Sequence, residues 1–388
     1  MKMHHRRFIP DPALLPGVID PGRATLRRKR WQEAADSTGD PAIAASARFL
    51  CEDTDGRRLL DGLFDHSSFL TECAIADPAF MQAVLEGGPD DAVSGVMAEL
   101  AEFRRGGPDL AEIGRILRVA KRRIALATAV ADIAQVWPLE RVTGALSDFA
   151  ELALGIGAAH LLRQAALSGA FDLIDPDDPE KGTGLVILGM GKLGARELNY
   201  SSDIDLIVLY DPERIRTSAP DALHNHFIRL TRSLVRLMEE RTADGYVFRT
   251  DLRLRPDPGS TPPAISTLAA EIYYESLGQN WERAAMIKAR PVAGDRAAAA
   301  DCMTWLAPFV WRKHLDFAAI QDIHSIKRQI NAQRGGSTIA LAGHNVKLGR
   351  GGIREVEFFV QTQQLIWGGR VPELRLPTTL GALGALVE

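Results

Sequence analysis

A short apolar run at 185–188 (Leu-Val-Ile-Leu) breaks into a turn with glycines at 189, 191 and 194, and from Ser202 the chain reads Ser-Asp-Ile-Asp-Leu-Ile-Val-Leu. This stretch constrains the fold more than any other. The first run is short enough to be a buried strand. The glycines allow the backbone to turn sharply and to approach other groups closely. A strand over 204–209 puts Asp203 and Asp205 on one face, with Ile204 and Leu206 on the other. Two carboxylates that close repel, and burying them raises the pKa of at least one. A divalent cation removes the conflict, and hard oxygen ligands select Mg²⁺ or Mn²⁺.

Residues 245–254 read as a third strand. Tyr246, Phe248, Thr250, Leu252 and Leu254 alternate with Val247, Arg249, Asp251 and Arg253, and Arg255 follows on the second face. If that strand neighbours the first acidic one, Asp203, Asp205 and Asp251 form a metal-ligand set. Three carboxylates suit two metals about 3.5–4 Å apart, an arrangement that serves phosphoryl or nucleotidyl transfer. The glycine turn would present backbone N–H groups to a phosphate, with Lys192 and Ser202 as further donors. Phosphate oxygens call for arginine forks and lysine point charges. The candidates are Arg253 and Arg255, then Lys288 and Arg290, then Lys347 and Arg350. Glu355 and Glu357 are two apart on an expected helix and so do not share a face, and Glu357 is the one expected to face the site. The turn is no Walker loop, since no Gly-Lys-Ser/Thr closes it. It matches Gly-x-Gly-x-x-Gly in spacing, but Asp203 and Asp205 come too early for the ribose-binding role of a dinucleotide fold. The competing reading makes Asp203 and Asp205 strand-edge or cap residues, and Asp251 an ion-pair partner of Arg249 or Arg253.

Around this core the expected fold is α+β: a small mixed sheet embedded between helical regions. Four segments are expected. Residues 1–40 form an irregular arm broken by Pro10, Pro12, Pro16 and Pro21. Residues 41–176 are helical, with apolar residues three or four apart, as in Leu110, Ile113, Leu117 and Ala120. Residues 177–295 carry the catalytic core. Residues 296–388 are mostly helical, interrupted by a hairpin within 334–352, and their closing Leu-Gly-Ala-Leu-Gly-Ala-Leu-Val has no helix stop, as if cut from a longer chain. With 46% apolar and 25% charged residues the composition is that of a globular protein. A net charge of -4 argues against a nucleic-acid coat. Three cysteines exclude a disulfide scaffold. With no signal peptide and no uncharged bilayer-length run, the expectation is a cytoplasmic protein with neither membrane nor nucleic acid as partner.

The motif at 189–207 resembles the signature of the bacterial glutamine synthetase adenylyltransferase/adenylyl-removing enzymes. The similarity continues through Asp244-Gly-Tyr-Val-Phe-Arg-Thr-Asp-Leu-Arg-Leu-Arg-Pro, Trp281-Glu-Arg-Ala-Ala-Met-Ile-Lys-Ala-Arg, Phe309-Val-Trp-Arg-Lys-His-Leu-Asp-Phe and Lys347-Leu-Gly-Arg-Gly-Gly-Ile-Arg-Glu-Val-Glu-Phe. It is firm from about 185 to 370. Ala195 stands where many relatives have glycine, which leaves the other turn glycines intact. The resemblance implies a nucleotidyltransferase core of the DNA polymerase beta type, with Asp203, Asp205 and Asp251 as metal ligands. The order of motifs is that of the N-terminal, adenylyl-removing half. That half uses inorganic phosphate to release ADP from AMP-tyrosine on glutamine synthetase, and PII signalling protein directs the whole enzyme. Adenylyl transfer from ATP to a protein tyrosine uses the same ligands and stays open, as does a non-catalytic partner-binding module.

Overall fold

The computed structural model describes residues 8, 11–313, 343–347 and 349–387. By contacts the chain divides into two compact units, Met1–Gly157 with Leu198–Ser201 and Leu237–Val247, and Ala158–Glu197 with Ser202–Arg236 and Phe248–Glu388.

The first unit is helical: α1 (Pro21–Ser37), α2 (Pro41–Glu52), α3 (Thr54–His66), α4 (Ser68–Ala76), α5 (Pro78–Gly87), α6 (Pro89–Ala101), α7 (Leu110–Ile133) and the first part of α8 (Leu139–Leu167). Its helix starts are written in the sequence. The side chains of Asp20, Asp40, Asp53, Ser67, Asp77 and Asp109 each accept a backbone N–H of the first turn. Proline opens α1, α2, α5 and α6, where its missing donor costs nothing.

The expected irregular arm at 1–40 is corrected by α1. Pro21 starts that helix, capped by Asp20, and Trp31 anchors it, 1% exposed against Phe64. The arginine cluster that follows is paired rather than free: Arg23 with Asp65, Arg28 with Asp61, Arg30 with Glu72. α8 is long and apolar enough to cross a membrane, but 72% of its most apolar window is buried inside the protein, as in a core helix.

The second unit holds a mixed sheet: β1 (Leu185–Gly189), β2 (Ile204–Tyr210), β3 (Thr250–Asp251), β4 (Ala264–Ser266) and β5 (Arg290–Gly294). β1 pairs antiparallel with β2 and β5, and β2 pairs parallel with β3 and β4. The short helix α9 (Gly191–Gly194) lies between β1 and β2, and α10 (Leu223–Glu239) follows β2. Then come α11 (Thr267–Ser276), α12 (Asn280–Met286), α13 (Arg296–Val310), α14 (Ile353–Trp367) and α15 (Thr379–Val387). Val186, Leu188, Ile207 and Leu209 build one core with Tyr274, Met286, Cys302, Phe309 and Leu365. Tyr210 stacks on Phe227 at 4.7 Å between ring centroids.

The long third strand is corrected to two residues. Gly245 turns at φ +91°, and consecutive Val247 and Phe248 are both buried, which breaks the alternation. Beyond Asp251 the backbone turns back, with the Arg253 N–H on Asp251 Oδ1 at 2.8 Å. The helix expected through 195–199 stops at Gly194, and Arg196 takes φ +58°. Strands β4 and β5 escape sequence reading because prolines flank or enter them, and Pro291 is tolerated because β5 is an edge strand. The expected 295/296 boundary lies inside one unit, where Asp295 caps α13 and accepts Gly184 N–H. Of the expected 334–352 hairpin, residues 334–342 and 348 lie outside the described residues, as does the helix expected at 316–333. The described part, Asn345–Lys347, is a turn, with Gly349 N–H on Asn345 O at 2.6 Å.

Candidate active site

Antiparallel pairing brings the end of β1 and the start of β2 to one edge of the sheet, so the glycine turn meets the aspartates. Met190 N–H donates to Asp205 O at 2.8 Å. Gly191 lies at φ +52°, and a Cβ there would stand 2.8 Å from Asp205 Oδ2. Gly194 packs still tighter: a Cβ would come 1.7 Å from the Lys288 carbonyl oxygen. Glycine is required at 194, and at 191 it is favoured by the left-handed backbone. Gly189 closes β1, where a Cβ would meet Val292 at 2.7 Å. Lys192 and Ser202 are half-buried beside the turn.

The parallel register of β2 and β3 sets Asp205 directly opposite Asp251. Neighbouring strands are about 4.8 Å apart, so two carboxylates in register face each other at close quarters. Burial pushes the Asp205 carboxyl up to about 6, helped by the negative charges of Asp251 and Asp203, while Arg253 and Lys347 pull it down. Asp203 holds the Arg249 guanidinium at 2.5 Å. Asp251 is gripped by Arg253, whose Nε lies 3.0 and 2.9 Å from its two oxygens, and those bonds hold its carboxyl below the usual range. Among the described residues, no three acidic, histidine or cysteine side chains are gathered as a ready metal cage. Asp203 and Asp251 are each turned onto an arginine instead.

The expected cations divide into two groups. Arg253 is 84% exposed beyond its bond to Asp251, Lys347 is exposed and close enough to influence Asp205, and Arg350 is exposed nearby in sequence. Arg255, Arg290 and Lys288 are spent on the protein itself. Arg255 donates to the carbonyls of Leu252, Pro258, Thr261 and Pro262, pinning the loop after β3. Arg290 donates to Leu193 O and Gly194 O, each at 3.0 Å, and so braces the glycine turn from behind. Lys288 binds Glu197 and Glu357, so Glu357 faces Lys288. Arg283, in the same cationic segment, is wholly buried and holds the carbonyls of Phe309 and Val310 at the end of α13.

Two participants were not singled out from the sequence for the places they hold. Arg249 is expected from the sequence only as a partner for Asp251, whereas it pairs with Asp203. Glu197 had no signal at all, since it lies in a segment read as plain helix.

The family model described as Glutamate-ammonia ligase adenylyltransferase matches residues 58–304. A second model, GlnD PII-uridylyltransferase, matches residues 324–388. Among curated proteins, the chain is 51% identical over 350 residues to the bifunctional glutamine synthetase adenylyltransferase/adenylyl-removing enzyme of Bradyrhizobium diazoefficiens, covering 90% of this chain and 35% of that protein. It is 53% identical over 348 residues to the enzyme of the same description from Rhizobium meliloti, covering 88% and 35%. The Brucella suis protein is 51% identical over 330 residues, covering 85% and 34%. The chain therefore spans about a third of the length of these relatives. With well over half its residues matched by one model, and the glycine turn and all three aspartates inside that match, the chain belongs to the glutamate-ammonia ligase adenylyltransferase family.

Proposed function

We propose that this chain carries an adenylyl-removing site of the nucleotidyltransferase, DNA polymerase beta-like type, acting on the AMP-tyrosine of adenylylated glutamine synthetase. The observation that carries the reading is the register pairing of Asp205 with Asp251 beside Gly191. The relatives' description covers both removal and addition of AMP, and the resemblance of the motif order to an N-terminal half is what favours removal. PII signalling protein is the proposed regulator of the full-length enzyme.

The residues fit a divalent cation, Mg²⁺ or Mn²⁺. Asp205 is half-buried, and burial first, then the charges of Asp251 and Asp203, raise its carboxyl, a cost that a bound cation relieves. Asp203, Asp205 and Asp251 would hold the metal. When bound, it neutralises charge on the reacting phosphate oxygens.

The chain's own residues do the rest. Gly191 lets the turn backbone lie against Asp205, so a phosphate can be received there without a side chain in the way. Arg253 sits on a long exposed stem and can exchange Asp251 for a phosphate oxygen. Lys347, Arg350 and Lys192 supply further positive charge. An oxygen of inorganic phosphate forms a bond to the AMP phosphorus, the bond from that phosphorus to the tyrosyl oxygen breaks, and the tyrosyl oxygen takes a proton from solvent. The products are ADP and unmodified tyrosine. Phosphate is already an anionic nucleophile, so no strong general base is needed.

The test is phosphate-dependent ADP release from adenylylated glutamine synthetase. Asp205→Asn and Asp251→Asn should each abolish it. Full activity in either variant overturns the reading, and label incorporation from radiolabelled ATP without ADP release assigns the opposite direction.

A further inference from the structure

The hydrogen bonds of Lys288 reach well beyond the glycine turn. Its side chain is 7% exposed, and its ammonium donates to Glu197 Oε2 at 3.0 Å, Thr379 Oγ1 at 3.2 Å and Glu357 Oε1 at 3.3 Å. All three N–H bonds are thereby used. The other Glu197 oxygen accepts the Thr379 N–H at 2.7 Å. Four segments meet here. Glu197 follows the turn, and its own N–H bonds the Lys192 carbonyl at 2.8 Å. Lys288 precedes β5, and its carbonyl lies against Gly194. Glu357 belongs to α14, and Thr379 opens α15.

A buried ammonium with two carboxylates adds little net stability over well-packed apolar side chains, and its best use is to fix geometry. The geometry it fixes here is that of α14. At the start of this helix the N–H groups of Ile353 and Arg354 bond the carbonyls of Val346 and Lys347, at 2.9 and 3.1 Å. Glu357 lies one turn further along the same helix, so whatever holds Glu357 holds the helix start that grips Lys347. Lys347, whose carbonyl is held in this grip, keeps its side chain exposed to meet an anion.

We propose that Lys288 is a positioning residue: through Glu197 and Glu357 it fixes the first turn of α14 against the glycine turn, and so sets where Lys347 meets an anion bound at the Asp205/Asp251 site. The proposal rests on the reading of that site as one for a phosphate-bearing nucleotide. Asp205 and Asp251 are held by strand pairing, so releasing Glu357 leaves them in place and frees only the lysine.

The experiment uses the full chain as wild type, Glu357→Gln, Lys347→Ala and the double variant, with Glu197→Gln as a second way of loosening the hub. Three measurements are made: amide hydrogen exchange at Ile353 and Arg354, ADP binding in Mg²⁺ by calorimetry, and Mn²⁺ binding alone. A charge-assisted bond is worth enough to change affinity about ten-fold. Glu357→Gln should therefore speed exchange at both amides and weaken ADP about ten-fold, while Mn²⁺ affinity stays close to wild type. In the Lys347→Ala background, Glu357→Gln should weaken ADP no further. Unchanged exchange in both hub variants overturns the clamp. An equal further loss of ADP affinity in the double variant overturns the route through Lys347. If the wild type binds no ADP, the nucleotide reading is what fails, and the exchange data still decide the clamp.

Discussion

Replacing Gly194 by alanine tests the close packing on which the whole site stands. The new Cβ would lie 1.7 Å from the Lys288 carbonyl oxygen and 2.5 Å from that of Gly189, whereas real Cβ atoms essentially never come within 3.0 Å of such neighbours. More than an ångström of movement is needed, and neither oxygen can yield cheaply. Gly189 lies in β1, paired on both sides, and Lys288 is tied to three partners. Ordinary overpacking costs about 1–3 kcal/mol. Here the obstacle is backbone, so we expect about 3 kcal/mol or more. Gly191→Ala is the control. Its φ of +52° costs an L-residue about 1–2 kcal/mol, and its Cβ meets only the movable end of the Asp205 side chain. With a urea slope near 3 kcal/mol/M, the midpoints should fall by about 1 M for Gly194→Ala and about 0.5 M for Gly191→Ala. Gly191→Ala should nonetheless be the worse for Mn²⁺ binding, since it pushes on a ligand candidate directly. A Gly194→Ala midpoint within about 0.2 M of wild type would refute the packing argument.

Three further outcomes follow from other parts of the structure. Arg283→Met should cost about 3–4 kcal/mol in urea unfolding, because the carbonyls of Phe309 and Val310 lose the side-chain donor they have among the described residues, at about 1–3 kcal/mol each. Arg283→Lys should recover only part of the loss, a single ammonium being unable to reproduce the guanidinium fork. Asp205→Asn should raise the melting temperature of the metal-free protein at pH 8, where the wild-type carboxylate is charged against Asp251 and Asp203, and Mg²⁺ should stabilise wild type but not the variant. Asp65 is buried, which raises its pKa, but the N–H groups of Ile19 and Asp20 and the Arg23 guanidinium outweigh that and bring it down to about 2. A depressed carboxyl stabilises the fold above its unfolded pKa and loses that contribution as pH falls toward 2. The stability gap between wild type and Asp65→Asn, measured by urea unfolding, should therefore close between about pH 4 and pH 2.

How much of this was legible in the sequence depends on how local the signal was. The turn and the Asp203–Asp205 pair were readable because glycine spacing and alternation are local, and β1 and β2 form within a residue of where the apolar runs place them. The partnership of Asp205 with Asp251 rested on guessing which strands are neighbours. The alternation over 245–254 points to a strand far longer than the real one: only Thr250 and Asp251 pair, and the apparent alternation on either side runs through turns. The helix at Pro21–Ser37 was missed for the opposite reason. Prolines were counted as breakers, though Asp20-Pro21 is a cap followed by a first-turn proline. Arg255, Lys288 and Arg290 show the limit of charge reading. A cation close in sequence to an acidic motif is as useful for tying carbonyls and carboxylates together as for meeting phosphate, and only the fold tells the two apart.

That division of labour explains how a cluster of like charges is kept at the edge of this sheet. Asp203 and Asp251 are each satisfied by an arginine from the same short stretch, Arg249 and Arg253, and only Asp205 is left with its carboxyl raised. Both pairs are open to solvent on at least one side, which weakens an ion pair, but the two-oxygen grip of Arg253 on Asp251 is the firmer of the two. The buried cations, by contrast, hold the frame: Arg290 on the turn, Arg283 on α13, Lys288 on α14 and α15. Solvent-reached arginines at the acidic edge and buried cations behind it are what a site needs if it is to take up positive charge and an anionic substrate without rearranging its strands.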